Sequence, residues 1–131
     1  MTPLLLALQI TAMPDAHYLT ATALQWGHDP RVVLAMAWEE TRSNVSPAVR
    51  GKAGEIGRFQ LSRAVARRYC PDLRIERYHD NVRCYMRTMS YYMVELDLPG
   101  LLPVNAIERY NGRGPKARAY RERVLATVRR L

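Results

Sequence analysis

Apolar positions recur at helical spacing along most of this chain, interrupted by short polar or proline-glycine stretches. The opening run MTPLLLALQITAM reads as a first helix, ended by Met13-Pro14-Asp15. It lacks the basic residues that precede the apolar run of a secretory leader. Asp15 is placed to cap a helix over 16–26, and Gly27 to end it, because glycine tolerates the left-handed backbone. Asp29-Pro30 restarts a helix with an acceptor at the cap and proline in the first turn. That helix carries Val33, Met36, Ala37 and Glu40 at helical spacing. Residues 43–52 read as loop, and Gly54-Glu55-Ile56-Gly57 as a tight turn or small irregular hairpin.

Further helices are expected over 62–70, stopping before Pro71, and from about 78 to 95, broken by Pro99-Gly100. Pro103 opens a short one that ends at Asn111-Gly112. Over 116–131, Ala117, Tyr120, Val124, Val128 and Leu131 form one stripe while arginines fill the other faces. No linker and no repeat divides the chain. The expected fold is mainly α: one compact multi-helix domain over residues 1–131, with at most a small irregular β hairpin.

Composition narrows the picture. A chain of 131 residues, 48% hydrophobic and with seven glycines, can bury a core and is neither disordered nor collagen-like. The net charge of +8 directs the surface toward polyanions: nucleic acid, anionic lipid, or a bacterial envelope. Cys70 and Cys84 allow one disulfide or two buried thiols, and the three histidines show no zinc spacing. No apolar run approaches the roughly 20 residues of a membrane-spanning helix.

Candidate chemistry lies in three places. Glu40 follows apolar residues at the negative end of its helix dipole, which raises a carboxyl pKa toward that of a general acid. An ion pair with Arg42 or another arginine is the plainer alternative, and Glu39 is a neighbour that spacing does not dismiss. Gly54-x-x-Gly57-x-Phe59-Gln60 is a sharp turn presenting an amide beside an aromatic ring, suited to an N-acetyl group or to nothing beyond turning. Tyr110-Asn111-Gly112-Arg113-Gly114-Pro115 is a rigid break between helices carrying a phenol and an amide.

Occurring together and in order, these three stretches resemble the lytic transglycosylases, goose-lysozyme-like enzymes that cut the glycan strands of peptidoglycan. The matching residues are Glu40-Thr41, Gly54-Glu55-Ile56-Gly57-Arg58-Phe59-Gln60 and Arg109-Tyr110-Asn111-Gly112, with Asn81-Val82, Tyr120 and Val124 in similar places. The resemblance covers about residues 30 to 128. It implies an α+β lysozyme-like fold and cleavage of the MurNAc-GlcNAc β-1,4 bond, with Glu40 as acid and then base and 1,6-anhydro ends as product. Hydrolysis to a reducing end is the variant outcome. Gln60 and Asn111 would hold N-acetyl and hydroxyl groups, Thr41 would supply the family's hydroxyl, Phe59 and Tyr110 would face sugar rings, and Tyr110 would support Glu40 or the developing charge. No metal or organic cofactor is implied.

Three departures stand out. Thr41 replaces a serine, Arg58-Phe59 replaces a Leu-Met pair and brings a charge near the groove, and Glu55 stands where alanine is common. Glu55 reads as a solvated glutamate or as a second carboxylate. The implied partner is the glycan strand, met by a monomer in the periplasm or cell wall after delivery by a phage, a secretion or a conjugation machine. Arg113, Lys116, Arg118, Arg121, Arg123, Arg129 and Arg130 could hold an anionic envelope or outer membrane, or simply solvate a helix. The rival from another class is a basic helical nucleic-acid-binding protein, and an inactive wall-binding relative is a third reading.

Overall fold

The computed structural model describes residues 1–131 and is mainly α. Its seven helices are α1 (Pro3–Thr11), α2 (Ala16–Trp26), α3 (Pro30–Thr41), α4 (Arg63–Tyr69), α5 (Tyr78–Leu96), α6 (Val104–Tyr110) and α7 (Pro115–Val128). Each lies where the apolar spacing placed it, within a few residues; the last ends at Val128 rather than Leu131. There is no β ladder. Two isolated bridges, Arg50 to Ile56 and Ile56 to Leu61, are the whole of the strand-like pairing.

Local chemistry accounts for several helix ends. Thr2 Oγ1 accepts from the Leu5 amide, and Asp29 Oδ1 accepts from the Arg31 amide at 2.9 Å. Gly27 takes the left-handed conformation (φ 74°) that closes α2. Asp15 departs from expectation. It precedes α2 but makes no capping bond, because its carboxylate is engaged by Arg58 and Tyr78.

α3 is the hub. Every residue from Val32 to Ala37 is buried, so the helix is apolar all round and packs against α1, α2 and α7. α5 is the longest helix and buries one face, including Val82, Tyr85, Met86 and Met89, while contacting α2, α4 and α6. Cys70 at the end of α4 is disulfide-bonded to Cys84 in α5. Closing a loop of that size removes chain entropy from the unfolded state, worth ~3 kcal/mol.

Residues 49–61 form an irregular turn between α3 and α4, held from beneath by Asn81 of α5. The buried Asn81 side chain donates to the Ile56 and Ile75 carbonyls (2.8 and 2.9 Å) and accepts from the Phe59 amide (2.9 Å). Gly57 (φ 75°) permits this closeness, since a Cβ there would meet the Asn81 amide.

Candidate functional site

A cleft of about 420 Å³ opens where the C-terminal end of α3, the 49–61 turn, α5 and the end of α6 meet. Glu40, Gln60, Tyr110 and Asn111 all line it, so four of the six site residues expected from sequence converge. Glu55, Gly51, Lys52, Ser62, Thr88 and Tyr92 also border it.

Glu40 reaches the cleft from the last turn of α3 and is partly buried. Its Oε2 accepts a 2.6 Å hydrogen bond from the Tyr120 hydroxyl of α7. Burial pushes its pKa up to about 7, the charges of Glu39 and Glu55 add to the rise, and the Tyr120 bond and Arg123 oppose it. Tyr120 is itself buried, and burial beside Glu40 raises its pKa well above the ordinary value, so it remains a donor. Glu39 has a different environment. Its carboxylate meets Arg123 at 3.2 Å and Arg42 at 3.8 Å and does not line the cleft. The two neighbouring glutamates are thereby told apart: Glu39 is ion-paired, and Glu40 keeps its proton up to about pH 7.

The amide residues flank this acid. Gln60 has an uncommon positive φ of 51°. Its Nε2 donates to the Gly57 carbonyl at 3.0 Å, which fixes the side chain against the turn. Asn111 is exposed at the end of α6.

Two expected site residues do not reach the cleft. The Phe59 ring is fully buried and stacks on Tyr85, with centroids 3.9 Å apart, so it is a core residue and offers no face to a sugar. Thr41 also turns its hydroxyl inward, donating to the Arg58 carbonyl (2.8 Å) and accepting from Arg58 Nη1 (2.7 Å). Tyr110 lines the cleft, but its hydroxyl donates to the Phe59 carbonyl, and Tyr120 is the phenol that supports Glu40. In the sequence Tyr120 was legible as part of an apolar stripe and as a residue in a place similar to the family's last helix, with no role at the site. Its signal was the phenol, which needs a partner once buried.

Arg58 brings no charge to the groove. It is buried, paired with Asp15 through Nε at 2.9 Å and Nη2 at 3.0 Å, and donates to the Ala37 and Arg42 carbonyls at the end of α3. At the Arg42 carbonyl, the C-cap of α3, the guanidinium satisfies an acceptor that has no partner within the helix. No grouping of His, Cys, Asp and Glu in the fold has the arrangement of a metal site. No family model matches the chain, and no curated protein or solved structure matches it either.

Proposed function

We propose that this chain is a peptidoglycan-degrading glycosidase that cleaves the MurNAc-GlcNAc β-1,4 bond, with Glu40 as its general acid. The observation that carries this reading is a carboxyl group with a pKa near 7 in a cleft lined by two amide side chains. A general acid works best when its pKa lies near the operating pH. Glu40 gives its proton to the leaving glycosidic oxygen, and the substrate's N-acetyl group assists at the anomeric carbon. Glu40 then takes the proton of the attacking hydroxyl. Attack by the sugar's own 6-hydroxyl leaves a 1,6-anhydro end, the outcome the family resemblance implies, and attack by water leaves a reducing end.

Gln60 and Asn111 hold N-acetyl and hydroxyl groups, and Tyr120 keeps Glu40 oriented. The architecture on this reading is a helix-rich variant of the lysozyme-like fold, with the 49–61 turn in place of a β sheet. A Cys70–Cys84 bridge suits work in an oxidising periplasm or cell wall. The protein acts as a monomer on glycan strands and uses no cofactor.

The test is incubation of purified peptidoglycan with wild type and Glu40→Gln, with products read by mass spectrometry. Wild type is expected to release fragments and the variant to be slower by ~10²–10⁴-fold. An anhydro end is one water lighter than a reducing end, so the same spectrum identifies the route. Absence of release by wild type, together with salt-sensitive duplex binding that Glu40→Gln leaves intact, would move the protein to the nucleic-acid-binding class.

A further inference from the structure

We infer that Glu55, which lines the same cleft as Glu40, is a second catalytic carboxylate that stabilises the positive charge developing on the sugar ring. The inference rests on the glycosidase reading above and deepens it, because the resemblance implies a single glutamate.

The distribution of ion pairs sets Glu55 apart. The chain has twelve carboxylates among twenty Lys and Arg residues, and eight of the twelve are in ion pairs. The four without one are Glu40, Glu55, Glu95 and Asp97. Glu95 is exposed at the surface, and Asp97 accepts from the Asn105 and Ala106 amides at the start of α6. The remaining two both line the cleft. Glu55 is partly buried in the 49–61 turn, where its Oε2 accepts from the Ala53 amide at 3.1 Å and holds the side chain in place.

The turn is also shaped to admit it. A Cβ on Gly51 would overlap both Glu55 Oε2 and Gln60 Oε1, so glycine at this position lets the carboxylate and the amide crowd together at the cleft wall. Lys52 lies beside them without forming an ion pair.

In the reaction, the proton passes from Glu40 to the glycosidic oxygen, and the C–O bond breaks with its electron pair left on that oxygen. Positive charge then spreads over the anomeric carbon, the ring oxygen and the assisting N-acetyl group. The Glu55 carboxylate faces that charge and stabilises it electrostatically. The incoming hydroxyl, from the sugar or from water, bonds to the anomeric carbon and returns its proton to Glu40.

Glu55→Gln keeps the size of the side chain and an acceptor for the Ala53 amide. With peptidoglycan as substrate, it is expected to lower kcat by about 10²-fold with little change in KM. It should also move the basic limb of the pH profile to lower pH, because the charge of Glu55 helps to keep Glu40 protonated. The groups facing Glu40 are Glu39 on its own helix, Tyr120 and Arg123 of α7, and the phenols of Tyr110 in α6 and Tyr85 in α5. All of these are unchanged in the variant. Gly51→Ala adds a check that bears on Glu55 and Gln60 together. It displaces only side-chain ends, so Tm should hold while kcat falls. Cleavage by wild type with an unaltered kcat and pH limb in Glu55→Gln, or with a change in KM alone, overturns this inference and leaves the glycosidase reading standing. No cleavage by wild type overturns both.

Discussion

Glu40 holds its proton up to about pH 7 chiefly because burial disfavours the charge, and this gives the fold a pH dependence that can be measured without substrate. The sign follows from linkage. The unfolded side chain ionises near 4.5, whereas the folded one waits until about 7. Below the first value both states are protonated and burial carries no charge penalty. As pH rises toward 7 the unfolded state loses its proton first, so stability contributed by the neutral group is lost, and above 7 the loss is complete. A shift of this size corresponds to ~3 kcal/mol at most. Chemical denaturation of Glu40→Gln is therefore expected to match wild type at pH 4.5 and to show a higher midpoint at pH 8. Equal midpoints at both pH values would mean that Glu40 is ionised in the folded protein at neutral pH. The amide keeps an acceptor for Tyr120, so packing around it is retained.

Between elements, the link that matters most is the buried Asp15–Arg58 pair. It ties the start of α2 to the 49–61 turn and to the last carbonyls of α3, the helix that carries Glu40. Tyr78 adds a 2.6 Å bond from α5 to the same carboxylate. Removing one partner of such a pair leaves a charge without water or counter-ion, at a cost of ~3–5 kcal/mol. Arg58→Met and Asp15→Ala are each expected to lose about that much in urea denaturation. The double variant should lose much less than the sum, because no buried charge is left behind. Additive losses would show that the two side chains act independently. This pair was hidden from a sequence reading for a simple reason. Arg58 and Asp15 are 43 positions apart, and each had a plausible local task, as a groove charge and as a helix cap.

Across the whole molecule, the positive charge divides into paired and free cations. In and near α7, Arg121 bonds Glu108 and Glu122, and Arg123 bonds Glu39, while Arg113, Lys116, Arg118, Arg129 and Arg130 form no ion pair. The free set is exposed, and on the proposed reading it would meet an anionic envelope. Exposed charges act through a screened field with a reach of about 10 Å at 0.1 M salt. Replacing Arg118, Arg129 and Arg130 with Gln should weaken sedimentation with purified sacculi at low salt, and added salt should do the same to wild type. Fold stability should stay within about 0.5 kcal/mol of wild type, as for other surface changes. Sedimentation indifferent to both treatments would make these arginines a solvated helix face.

Periodicity, caps and helix breakers along the chain determined the seven helices and their approximate ends, because those signals act over a few residues. The order of Glu40, Gln60, Tyr110 and Asn111 along the chain likewise pointed to one site, and all four line one cleft. Tertiary structure decided what each side chain faces. It turned Phe59 into the core against Tyr85, set Thr41 against Arg58, and brought Tyr120 from 80 positions away onto Glu40. It also separated Glu39 from Glu40, which are adjacent in sequence, by giving one an arginine and the other a buried phenol. Burial and long-range pairing set a side chain's charge and reach, and neither is encoded in its nearest neighbours.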